Sequence, residues 1–181
     1  QLGFELGPRA FTATLAQLSE DGPDRSTGLL RELTPRFRGS TISSQLRREL
    51  LELAQTVAER VDRCRLSGVR DLFDSILGFV RSYQQSTRDL DSRLRLTRSL
   101  RSQPAWANVE LSADRFLQQL HGLVDDLGRV YAAFESVADT RIIELDQLLS
   151  QLSLARQTLA ELAQQVSESL LAPQDGNVYW I

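Results

Sequence analysis

Four arginines stand close together in the middle of the chain, Arg93, Arg95, Arg98 and Arg101, and Trp106 follows shortly after the last of them. The stretch that holds them, from Asp89 to Arg98, largely alternates polar and apolar residues, the period-two pattern of an extended segment. In such a segment Arg93 and Arg95 share one face while Leu94 and Leu96 share the other. Guanidiniums at that spacing suit successive phosphates, and a neighbouring indole suits stacking on a base. The competing reading is a solvated strand face, with Trp106 buried and locking the segment onto its neighbours.

Other chemistry is sparse. The chain has one Cys, one His and no Lys. That leaves nothing to build a disulfide framework, a multi-Cys or multi-His metal centre, or a Walker A phosphate loop. Cys64 falls on an apolar stripe and reads as a small hydrophobe. His121 sits four residues before Asp125, a spacing that suits a structural pair. Asp125 and Asp126 are adjacent and do not face each other on a helix. We therefore expect no catalytic residue and no metal site in this chain. With 24 acidic residues against 21 arginines the net charge is −3, which argues against wholesale wrapping of nucleic acid but not against a local basic patch. No run of about 18 apolar residues occurs, so no membrane contact is expected.

The elements that must position these residues are helical. Pro8 suits the first turn of a helix, and Phe11, Leu15 and Leu18 give it one apolar face from about Arg9 to Ser19. Glu20 to Asp24 reads as a turn, and a short helix holding Leu29, Leu30 and Leu33 is stopped by Pro35 and Gly39. The clearest pattern starts after Thr41, a candidate cap. One stripe runs Ile42, Leu46, Leu50, Leu53, Val57, Val61, Cys64, Gly68, Leu72, Ile76, Phe79 and Tyr83, every step being three or four. Gly68 is its weak point. Mixed charges line this arm: Arg47, Arg48, Arg60, Arg63, Arg65 and Arg70 lie among Glu49, Glu52, Glu59, Asp62 and Asp71, the composition of a solvated, pair-laced face.

A second helical region starts near Ser112, with Phe116, Leu120, Leu123, Leu127, Val130, Phe134 and Val137 on its stripe. It continues from Ile142 to Leu170, and the best place for a break is Ser136 to Thr140. Ala172 to Gly176 turns the chain, and Val178 to Ile181 reads as a strand. The expected architecture is one mainly α domain over 1–181. Its long antiparallel, coiled-coil-like arms cover about 42–86 and 112–171, joined by an extended connector at about 88–106, with strand-like chain ends. Packed antiparallel, the two arms bury both leucine stripes and bring the chain ends together, as an insertion into another domain requires. The absence of Met and the strand-like ends suggest a piece of a longer chain.

Three segments carry a resemblance. Gln1-Leu2-Gly3-Phe4 resembles the stretch just after the D-E-A-H box of DinG-type helicases, the bacterial relatives of XPD. Arg95-Leu96-Thr97, with Arg101 and Trp106, resembles the Arg-Leu-Thr segment followed by Arg and Trp in the helical insertion of that family. Asn177-Val178-Tyr179-Trp180-Ile181 resembles the strand that returns to helicase domain 1. The chain thus resembles the insertion, or arch, domain of a DinG-type DNA helicase. The resemblance implies a non-catalytic element that helps enclose or separate single-stranded DNA while a parent chain hydrolyses ATP with Mg. The implied partners are single-stranded DNA and the two motor domains of the same chain. The implied location is the bacterial cytoplasm, and an iron–sulfur cluster would lie elsewhere in the parent if at all. The alternative is a free-standing helical-bundle scaffold that binds a protein through its leucine surface.

Overall fold

A computed structural model describes residues 7–19, 28–36, 42–87, 94–137, 145–173 and 178–180. The chain is a mainly helical bundle. Its helices are α1 (Pro8–Ser19), α2 (Leu29–Arg36), α3 (Ser44–Arg63), α4 (Val69–Thr87), the single turn α5 (Arg98–Arg101), α6 (Ala107–Glu135) and α7 (Leu145–Val166). Thr41 lies outside the described residues. The cap of α3 is Ser43, whose hydroxyl accepts from the Leu46 amide at 3.2 Å.

The first arm runs through Gly68 without a break, because Cys64–Gly68 forms a π-turn between α3 and α4. The stripe explains it. Cys64, Gly68, Leu72 and Ile76 follow one another in steps of four, which outrun the 3.6-residue turn of a straight α-helix. A wider turn absorbs the drift and keeps the stripe facing inward. Leu50, Val57, Val61, Cys64, Leu72, Ile76 and Phe79 are buried as the spacing predicts, whereas Leu46 is 37% exposed at the end of the arm. Gly68 faces α6 at close range. A Cβ there would press on the Phe116 ring at 3.2 Å and displace the Gln119 side chain.

The second helical region begins at Ala107 and not near Ser112, and α6 ends at Glu135, where the break was expected. Chain 136–144 separates α6 from α7, and these two share the most extensive packing in the bundle. Among the described residues the bundle therefore has three long members, the α3–α4 arm, α6 and α7. Arg60 meets Asp126, Gly68 meets Phe116, and Phe79 meets Trp106. Helices α1 and α2 close the bundle against α3 and α7. Phe11 of α1 lies 5.2 Å from Phe116 and 6.1 Å from Phe73, joining α1 to α6 and to the first arm.

Two carboxylates bind the elements laterally. Asp126 on α6 is only 2% exposed and is held by Arg60 of α3 and Arg129 of its own helix. Asp62 accepts the Ser19 hydroxyl at 2.6 Å and lies 3.6 Å from Arg31 and 3.7 Å from Arg65, tying α1 and α2 to α3. His121 is exposed and makes no ion pair with Asp125 among the described residues, contrary to the pairing their spacing suggested.

Cys64 is 3% exposed. Burial pushes its thiol up from 9.0 to about 12. The core holds the neutral form, so this contribution to stability is complete below the ordinary value and is lost as pH rises towards the folded one. Three outcomes are expected. Native protein at pH 8 reacts with a thiol reagent about a thousandfold more slowly than urea-unfolded protein. The urea midpoint of the wild type falls more steeply above pH about 9 than that of Cys64→Ala. Asp126→Ala lowers unfolding stability by about 2 kcal/mol, whereas Asp125→Ala, one residue away and exposed, changes it by less than about 0.5 kcal/mol.

Candidate nucleic-acid interface

Among the described residues the alternating pattern produces an extended segment at Leu94 to Leu96. It ends at Thr97, whose hydroxyl accepts from the Leu100 amide at 3.2 Å and so caps the turn α5. Gln103 is extended, as the residue before a proline favours, and Pro104–Trp106 then winds as a 3₁₀ turn directly into α6. The connector is therefore helical over most of its second half, where the absence of an apolar period predicted none. Single turns are too short to show a period.

The extended part has a partner. Leu96 donates its amide to the Tyr179 carbonyl at 2.9 Å, and Arg95 and Trp180 form an antiparallel bridge. Residues 178–180, read from sequence as a strand without a neighbour, thus return to the connector. Two segments some eighty residues apart meet beside the end of α7.

Arg101 is the centre of this junction. Its guanidinium donates to the Leu170 carbonyl at 2.9 Å and the Ser169 carbonyl at 2.7 Å. Both carbonyls belong to Ser167–Leu171, a second π-turn that ends α7. Carbonyls at a helix C-terminus lack partners in their own helix, and a guanidinium fork fills that need while opposing the negative end of the helix dipole. The same guanidinium lies 5.5 Å from the centre of the Trp106 ring and 5.8 Å from that of Tyr179. Burial pulls the Arg101 pKa below its ordinary value, and Tyr179 and Glu110 oppose that effect.

Trp106 is 0% exposed. Its ring meets Phe79 edge-on at 5.0 Å, with Arg101 over it. An indole so enclosed presents no surface to a base in this arrangement, and its Nε1–H has no acceptor among the described residues. The five residues singled out by sequence therefore separate. Arg101 and Trp106 are joined inside the junction, Arg95 and Arg98 lie on its surface, and Arg93 lies outside the described residues.

The residue pattern named no site residue in the other half of the junction. Tyr179 packs inward against Arg101, while Val178 and Trp180 on either side are 51% and 59% exposed. The signal was present, because period-two alternation in Val178-Tyr179-Trp180 puts the first and third residues on one face. Among the described residues no group of three His, Cys, Asp or Glu could hold a metal ion, and no helix is long and apolar enough to cross a membrane. Comparison with family models, with curated proteins and with solved structures returned no match.

The two tryptophans should behave oppositely. Trp106→Ala costs about 3–5 kcal/mol, while Trp106→Phe costs much less, because the smaller ring also removes the unpaired N–H. Trp180→Ala stays within about 0.5 kcal/mol of wild type. Iodide quenches the wild-type indole emission only in part, and Trp180→Phe leaves an emission that iodide does not reach. Urea melts and quenching titrations check these outcomes.

Proposed function

We propose that this chain is the helical insertion, or arch-like, domain of a DinG-type DNA helicase. In this reading residues 1–181 form a single domain set into helicase domain 1, and the arms form a coiled-coil-like projection from it. The domain has no active site of its own. ATP and Mg act in the motor domains of the parent chain, and the insertion helps enclose or separate single-stranded DNA as those domains cycle.

The observation that supports the reading is the convergence of the resembling segments. Arg95, Leu96, Arg101 and Trp106 come from the connector, and Tyr179 and Trp180 come from the returning segment. All six gather at one junction. A domain standing on a motor needs such a joint, because load applied to one segment is then shared with the other. The basic surface of the connector stands at the same place, which gives a single strand a point of contact there.

A second reading rests on a different feature. From Leu145 to Leu171 the charged residues are Asp146, Arg156, Glu161 and Glu168, and Leu154 is 63% exposed on the outer side of α7. A helix face poor in charge with an exposed leucine suits a protein partner or a second copy. That scaffold reading predicts concentration-dependent association in sedimentation, abolished by Leu154→Glu, and a strictly monomeric chain removes its self-associating form.

The helicase reading is tested in the parent chain by deleting residues 10–170. ATP hydrolysis stimulated by single-stranded DNA should survive largely intact, and duplex unwinding should fall at least about tenfold. Unwinding at the undeleted rate would refute the mechanical role.

A further inference from the structure

The aromatic surface at the junction is Trp180 and not Trp106. Trp106 has no exposed surface, and Arg101 faces the Tyr179 ring. Trp180 is 59% exposed and makes no ring contact among the described residues. Directly across the bridge stands Arg95, exposed and without an ion pair among the described residues. The hydrogen bond from Leu96 to Tyr179 flanks this pair, so Arg95 and Trp180 form the non-hydrogen-bonded kind, in which opposite side chains lie closest. A guanidinium without an ion pair among the described residues and an exposed indole therefore stand across the bridge from each other, with Val178 at 51% exposure on the same segment as the indole.

We infer that Arg95 and Trp180 form a binding site for single-stranded nucleic acid, with the indole stacked on one base and the guanidinium on a neighbouring phosphate. The inference rests on the proposed contact with single-stranded DNA, and it gives that contact a location. The chemistry favours a single strand over an acidic peptide. A peptide carboxylate needs only the cation, whereas a nucleotide presents a π-face and a negative charge one backbone unit apart, the two features offered here. A duplex keeps its bases stacked on one another and leaves the indole nothing to cover. The support beneath the pair is stiff. Leu96 is buried on the inner side of one segment, and Tyr179 is held by Arg101 on the inner side of the other. Ordering the two outward side chains then costs little further backbone entropy.

The test uses the full chain and a fluorescein-labelled oligothymidylate of about 12 nucleotides at low salt. Anisotropy gives affinity and indole emission reports stacking. The inference expects binding that quenches the accessible indole, about tenfold weaker binding by Trp180→Ala, and a salt dependence shallower by about 0.7 in log–log slope for Arg95→Ala. Circular dichroism of both variants should match wild type, since each replaced side chain is exposed. Equal affinity in wild type and both variants would overturn this site while leaving a single-strand contact elsewhere on the chain. Poly-glutamate that quenches and competes as well as the oligonucleotide would overturn base stacking and assign the face to acidic peptides. No binding of the oligonucleotide to the wild type would overturn both the site and the proposed contact by this domain.

Discussion

The end of α7 leaves carbonyls that its own helix cannot satisfy, and one side chain from elsewhere answers them. Arg101 reaches the Ser169 and Leu170 carbonyls with two donors and lies against Trp106 and Tyr179 with its faces. A lysine has the charge but not the fork, and a glutamine has the donors without the charge. The connector, the residue that leads into α6, the end of α7 and the returning segment all meet at this one guanidinium. The leucine seams make the bundle stable. The guanidinium settles how its end is arranged.

The interior and the junction obey different physics. In the bundle, burial of Phe, Leu and Val side chains is non-directional, and the paired carboxylates Asp126 and Asp62 add lateral register. At the junction, direction matters, because hydrogen bonds and ring contacts meet in a small volume. The two π-turns belong to this contrast. At Cys64–Gly68 the wide turn keeps an apolar stripe in phase, and at Ser167–Leu171 it presents carbonyls to an arginine. The first serves packing, and the second makes a polar joint.

Much of the bundle was legible from residue spacing. The stripe through the first arm, the short helices around Phe11 and Leu30, and the break after Ser136 all follow from apolar periodicity, which is a local signal. What spacing could not show was non-local. The packing of α6 against α7 depends on where the chain goes after the break. The burial of Asp126 depends on Arg60, sixty-six positions away. The inward packing of Tyr179 and the exposure of Trp180 go with a bridge between the connector and the returning segment. Sequence alternation showed that both segments were extended, but two extended segments carry no label that says they pair. The basic run likewise looked uniform in sequence, and only tertiary placement separates Arg101, committed to the end of α7, from Arg95 on the surface.

Whether Arg101 joins these segments into one cooperative unit is measured most directly by amide hydrogen exchange in Arg101→Gln. The Leu96 amide, bonded to the Tyr179 carbonyl, and the Ala172 amide, bonded to the Ser167 carbonyl, should both exchange faster in the variant, and by similar factors. Amides in the middle of α3 and α6 should keep their wild-type protection. Unchanged exchange at Leu96 with faster exchange only at Ala172 would show that Arg101 caps a helix and nothing more, and would contradict the account.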